Sequence, residues 1–324
     1  MDKLRSPPVE IGLTAAIISV RDDEPQILTA RSQDNETVAA LPSGPFDPIR
    51  HRTFEIGLRE WVSEQTGAPL GYVEQLYTFG DRGRHARAGD RDPHVVSVGY
   101  LALTRIVDDA SSQAAGWRNW HDFFPWEDWR DGRPEIIDNV IAPGLASWLA
   151  EAPEAVSSSG LTRRQRVSLL FGAAGRNYNE ENALERYELL YEAGLLAEAL
   201  RDGRETAQRR GRLDALGQPM RHDHRRILAT AMSRLRAKLK YRLVIFELMP
   251  PVFTLTELQR TAEAISGRHV HKQNFRRLLE SADILEPTGD VSHKTGGRPA
   301  ALFNFRRNVL LERPTFGLRV GIKG

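Results

Sequence analysis

A chain of 324 residues and 36.5 kDa exceeds one ordinary domain and suits two or three. With 40% hydrophobic and 27% charged residues it reads as globular, and no apolar run approaches the roughly 18 residues of a membrane helix, so a helical membrane protein is excluded. The chain has no cysteine, which excludes disulfides, iron–sulfur clusters, thiolate zinc sites and a cysteine nucleophile together. MDKLRSPPVE lacks the apolar core of a secretory signal, so the expected location is the reducing cytoplasm.

The net charge of +2 is unevenly spread. Residues 230–324 hold seventeen Lys/Arg against eight Asp/Glu, a net of +9, which leaves 28 against 35, or −7, on the other 229 residues. An acidic front and a basic tail suggest that the tail meets a polyanion; the alternative is a solvated basic surface without a partner.

In chain order, 10–20 (EIGLTAAIISV) and 26–31 (QILTAR) are strand-like and joined by the polar turn 21–25. The Pro/Gly loop LPSGPFDP precedes a helix from about Arg52 to Thr66, with Phe54, Leu58, Trp61 and Val62 on one stripe and Gly67 as its stop. YVEQLYTF and HVVSVGYLAL follow as strands around an Arg- and Gly-rich loop, Gly80–Pro93. Trp117, Trp120, Trp126 and Trp129 cluster next, as a core lid, a subunit contact or an aromatic ligand wall. A helix over about 134–150 is expected to close this domain.

Residues 158–230 are helical by pattern. Asn179 can cap a helix whose stripe is Leu184, Tyr187, Leu190 and Tyr191 and whose stop is Gly194, while 201–218 reads as an exposed connection. A long helix is expected from His224 to Met249, with Leu228, Met232, Leu235, Leu239 and Phe246 as its stripe and Pro250-Pro251 as its end. Such a stripe suits a domain connector or a dimer seam.

Thr254 and Glu257 fit a capping box that starts the next helix, and Gly267 ends it. In HKQNFRRLLESA, Phe275, Leu278 and Leu279 make a thin anchoring stripe. His269, Gln273, Arg276 and Arg277 are expected opposite it, with Lys272 on the flank and Asn274 in the same DNA-binding set. These side chains suit base edges and phosphates in a major groove, Gln273 and Arg276 for bases and Lys272 for phosphate. Two strands around Lys294, Gly296, Gly297 and Arg298 complete the order of a winged helix-turn-helix, with Lys294 and Arg298 at the wing tip. A small helical domain that binds protein is the alternative.

The strand–strand–loop–helix order around LPSGPF and LREWVSEQTG resembles a Nudix domain, whose helix carries glutamates that hold Mg²⁺ or Mn²⁺ on a pyrophosphate. Aligned on Thr66-Gly67, the chain has Glu60 at the family's arginine, Trp61 at the first glutamate, Gln65 beside Glu64, and Arg52 at the upstream glutamate. Glu64 alone matches, so no metal site and no catalytic residue is assigned. Together with EQLYTFGDRGR and the tail FTLTELQ…HKQNFRRLL…GGRPAALFNF, this resembles the Nudix-related transcriptional regulators of NAD metabolism, over about residues 8–152 and 230–310.

The resemblance implies an α+β chain: a Nudix-like α/β/α sandwich over 1–152, a helical connector over 153–229 and a winged helix-turn-helix over 230–324. It further implies a repressor of NAD biosynthesis or salvage genes that binds double-stranded operator DNA as a homodimer, without a required cofactor. Its effector would be an NAD-related adenine nucleotide (ADP-ribose, NAD or ATP), held by Ser43, Phe79, Asp81, Arg82 and Arg84. The rivals are a Nudix hydrolase acting on ADP-ribose or a related dinucleotide, and a nucleotide-sensing scaffold that binds protein through its tail.

Overall fold

Strand β1 (Val9–Arg21) turns into β2 (Glu24–Thr29) through Asp22 and Asp23, which both take positive φ (53° and 61°). Two left-handed residues make the tight turn whose twist matches the flanking strands, and aspartate tolerates that conformation. The computed structural model describes residues 8–30, 38–81, 94–106, 116–158, 160–172, 178–211, 214–241, 244–293 and 299–306. Seven consecutive residues of β1, Leu13 to Ser19, are buried, which requires cover on both faces. Its neighbours are β2, the short β3 (Ser43–Pro45) and the parallel β5 (His94–Leu103). With β4 (Val73–Phe79) and β6 (Gly116–Asn119) the sheet runs β4-β5-β1-β2-β6.

One face of the sheet packs Leu13, Ala15, Ile17, Val98 and Tyr100 against Leu58 and Val62 of α1 (Phe54–Thr66). Thr53 caps that helix, and Gly67 ends it in the left-handed conformation at the stop the sequence predicts. The other face, with Ala16, Ile18, Ile27 and Leu101, continues into the large core containing Trp120 and Trp126, neither of which has exposed surface. Those two tryptophans are core.

A short π turn, Ile137–Ile141, leads into α2 (Ala142–Glu151), which packs on α3 (Arg163–Phe171). Next come α4 (Ala183–Glu192), α5 (Ala197–Arg201), α6 (Glu205–Arg210) and α7 (His224–Tyr241). The stretch expected as an exposed connection differs: α6 lies inside it, Ala207 and Leu216 are buried, and Arg201 donates to the carbonyls of Met220 and His222.

Helix α7 also departs from expectation. It is described to Tyr241, and Val244–Leu248 before the prolines forms a 3₁₀ turn instead of continuing the α-helix. Leu228, Met232 and Leu235 have no exposed surface, so the stripe fills the core of one chain instead of lining a dimer seam. The helix packs on α4 and on β1, β4 and β5, so it supplies the second helical layer of the sheet sandwich and straddles the expected boundary at 229/230.

The C-terminal part consists of β7 (Phe253–Thr254), α8 (Leu255–Ser266), α9 (Lys272–Ala282), β8 (Leu285–Ser292) and β9 (Ala300–Phe305), with strand order β7-β9-β8. Helix α8 rests on β1 and β2, two interior strands, which seats this unit directly against the large sheet.

Candidate nucleic-acid interface and nucleotide site

The expected capping box forms: Thr254 Oγ1 accepts from Glu257 N at 3.2 Å, and Glu257 Oε2 accepts from Thr254 N at 2.6 Å. Helix α8 ends at Gly267 with φ 69°. The following turn is tied to α8 through Glu263, which accepts from Gln259 Nε2 at 2.8 Å and from Val270 N at 2.9 Å. Helix α9 then buries Phe275, Leu279 and Ala282 and exposes Lys272, Gln273, Asn274, Arg276 and Arg277. Five of the eight DNA-binding candidates thus share one solvent-facing surface of a helix long enough for a major groove. His269 is not on that helix. It sits in the preceding turn, with Nδ1 3.0 Å from Glu263 Oε2. Lys294 and Arg298 lie outside the described residues.

This unit joins the rest of the chain through a buried ion cluster. Arg186 of α4 grips Glu127 through two bonds of 2.6 and 2.7 Å, and Arg236 of α7 adds a third at 2.5 Å. Arg236 Nε also donates to the carbonyl of Ile265, in the last turn of α8, at 2.9 Å. Burial raises the Glu127 carboxyl, but the guanidinium groups of Arg186 and Arg236 outweigh that effect and hold it below its ordinary value. The same burial, reinforced by the Glu127 charge, raises the Tyr178 phenol beside it. Sequence reading missed this cluster, because arginines next to an apolar stripe look like surface residues.

The nucleotide candidates divide. Ser43 is held by α1: Gln65 Nε2 donates to its carbonyl at 2.7 Å and Gln65 Oε1 accepts from its amide at 3.1 Å. The Trp61 ring covers Gly44, where any Cβ would stand 2.3 Å from it, and Trp61 Nε1 donates to Pro45 O at 2.9 Å. Phe79 and Asp81 instead meet α7, on the other face of the sheet. Phe79 is buried beneath the Arg226 guanidinium, and Asp81 Oδ2 accepts from Arg226 Nη1 at 2.5 Å. Arg226 is further paired with Glu188 of α4. Arg82 and Arg84 lie outside the described residues.

On α1, Glu60 is engaged by Arg50 at 2.5 Å and by His51 Nε2 at 2.9 Å, while Glu64, and Arg52 just before the helix, are exposed. Among the described residues, one group has metal-ligand spacing: Glu24, His121 and Asp128. Its carboxylates bracket Arg130 at 2.8 and 2.7 Å, so a cation already occupies the space between them.

Residues 245–305 match the family model of the NrtR DNA-binding winged helix domain. The ADPR responsive transcriptional repressor NtrR of Acinetobacter baylyi is 42% identical over 91 residues. That stretch is 28% of this chain and 36% of the relative, so the match spans about a third of the curated relative's length. The crystal structure of Shewanella oneidensis NrtR complexed with a 27mer DNA superposes with a TM-score of 0.56 at 19% identity, covering 96% of this chain and 99% of that one. A MutT/nudix family protein from Enterococcus faecalis superposes with a TM-score of 0.50 at 14% identity, covering 94% and 89%. The chain therefore carries a C-terminal winged helix domain that matches the NrtR model, within an overall fold shared with these two solved structures.

Proposed function

We propose that the protein is a transcriptional repressor that responds to ADP-ribose or a related adenine nucleotide and controls genes of NAD biosynthesis or salvage. The observation that carries this reading is α9: within the segment matched to the NrtR winged helix, Phe275 and Leu279 anchor a helix whose free face is Lys272, Gln273, Asn274, Arg276 and Arg277. That face combines cations for phosphates with amide and guanidinium groups for base edges. The named relative responds to ADP-ribose, which supports the same effector here. A homodimer on a palindromic operator fits helix-turn-helix geometry. The protein would work in the cytoplasm.

The Nudix-type domain is read as a sensor that does not hydrolyse its ligand. Trp61 and Gln65 bind the β3 loop to α1, and Glu60 is paired with Arg50 and His51, so the helix offers little clustered negative charge for a divalent cation.

Operator-length duplexes from upstream of NAD genes, titrated with and without ADP-ribose, NAD and ATP, test the reading. ADP-ribose is expected to change operator affinity; equal affinity with and without all three nucleotides ends the sensing role for these ligands. Incubation of the protein with ADP-ribose and Mg²⁺ or Mn²⁺, followed by chromatography, is expected to return intact nucleotide. Robust turnover abolished by Glu64→Gln would replace the sensor with the hydrolase.

A further inference from the structure

Glu263 is a carboxylate on the inner side of α8, only 7% exposed, at a helix end that Gly267 already terminates. Its Oε1 serves the turn, accepting from Val270 N at 2.9 Å and Gln259 Nε2 at 2.8 Å, and Gln259 Nε2 also donates to Val270 O at 3.1 Å. Its Oε2 serves one side chain, His269, at 3.0 Å from Nδ1. His269 has a side chain 62% exposed. Burial raises the Glu263 carboxyl, but the hydrogen bonds from Gln259, Val270 and His269 outweigh burial and hold it below its ordinary value.

The chemistry of this pair fixes a proton. An ionised carboxylate only accepts, so Nδ1 must be the donor, and in a neutral imidazole the single ring proton then sits on Nδ1. Nε2 is the ring nitrogen that the carboxylate does not engage, on a side chain 62% exposed, and in that tautomer it is a bare acceptor. A bare nitrogen repels a phosphate oxygen; an imidazolium Nε2–H donates to it with a charge-assisted bond. His269 stands three residues before Lys272, at the N-terminal end of α9, where helix amides also favour an anion.

We infer that Glu263 is a positioning residue that holds the proton of His269 on Nδ1, so that His269 contacts a DNA backbone phosphate only as the imidazolium and makes DNA binding pH-dependent. The inference rests on the DNA-binding reading of α9. Glu263 on α8 is the charged group in contact with the ring; its charged neighbours along the chain are Arg268, whose guanidinium lies over the Tyr178 ring at 5.4 Å, and Lys272 at the start of α9. Arginine and lysine keep their charge across the histidine range, so they add affinity without adding pH dependence there. His271 and His293 are also exposed, and they are common to all the proteins compared below.

A phosphate contact is sequence-independent, so the probe is a fluorescent mixed-sequence DNA duplex at low salt, with affinity read by anisotropy at about pH 6 and about pH 8. Wild type is expected to bind about tenfold more weakly at the higher pH, the size of one charge-assisted hydrogen bond. Its slope of log affinity against log salt should also fall by about one unit. His269→Gln should remove both changes. Glu263→Gln places an amide donor opposite Nδ1, which moves the neutral ring's proton to Nε2; that variant should bind more tightly than wild type at the higher pH. A merely structural role for Glu263 predicts the opposite, weaker binding at both pH values, and would overturn the positioning role. Should Glu263→Gln fail to fold, the exposed His269→Gln carries the test alone. Equal pH dependence in wild type and His269→Gln overturns the inference while leaving DNA binding intact. No binding by any of the three at either pH overturns the DNA-binding reading and the inference with it.

Discussion

At Glu127, guanidinium groups from α4 and α7 converge on one carboxylate without exposed surface. Removing one partner of such a cluster strands the others as uncompensated charge in a medium of low dielectric constant. Glu127→Ala is expected to cost about 3–5 kcal/mol of stability, read by urea or thermal unfolding. A loss below about 1 kcal/mol would mean that water reaches the cluster. The pH dependence follows from the sign of the shift: a carboxyl held below its unfolded value contributes stability that is complete above the ordinary carboxylate range and lost as pH falls. Glu24 obeys the same rule. The His121 ring, with Nδ1 3.8 Å from Glu24 Oε2, acts first, and hydrogen bonds from Asn119 and Arg130 follow; together they pull it from 4.5 down to about 2 against the effect of burial, so its share disappears as pH falls through that window. Gly267, beside the cluster, has φ 69°, and a Cβ there would stand 2.4 Å from the Glu127 carbonyl, so Gly267→Ala is also expected to weaken the seating of α8.

At the scale of elements, α9 was readable from the sequence because its two signals are local. An apolar stripe three and four residues apart marks the buried side, and the residues left over define the free one. Arg276→Ala is therefore expected to cost about 1–3 kcal/mol of operator affinity and to relax base preference at one position. A gel-shift series over single-base operator variants measures both effects, and unchanged preference would remove Arg276 from the base-reading set. The ends of α1 and α8 were equally legible, since Gly67, Gly267 and the Thr254–Glu257 box act within one turn. Helix α7 was not. Its stripe shows that one side is buried but not what buries it, and the contacts that decide this come from distant parts of the chain. Arg236 meets Glu127 across 109 residues, and Arg225 meets Glu198 and the carbonyl of Phe123, across 27 and 102. No periodicity within a helix carries such information. For the same reason, Phe79 and Ser43 fell into one candidate site by motif although the sheet separates them.

Across the whole molecule, α7 touches both the large sheet and the C-terminal unit, the two parts that the proposed regulator must connect. Near its start Arg226 holds Asp81, which follows β4 within the FGDRGR run; ten residues later Arg236 holds both Glu127 and the end of α8. At 1.5 Å of rise per residue these arginines stand roughly 15 Å apart on one rigid helix. A nucleotide that altered the Asp81–Arg226 contact would act on the helix that seats the DNA-binding unit, which gives the two sites a common element to bias. Coupling of this kind is typically about 5- to 150-fold in affinity and is reciprocal. Asp81→Asn keeps the size and an acceptor oxygen but removes the charge that Arg226 answers. It is expected to leave operator affinity without nucleotide close to wild type, because the Glu127–Arg236–Ile265 contacts are untouched. At saturating ADP-ribose, the factor by which nucleotide changes operator affinity should shrink toward one. Saturation matters here: any direct loss of nucleotide binding is then offset by concentration, and only coupling remains in the comparison. Calorimetric titration of nucleotide with and without operator measures the same factor from the other side of the cycle. If Asp81→Asn retains the wild-type factor in both titrations, the Arg226 contact is a surface ion pair of no regulatory consequence, and the link between the domains must run through other residues.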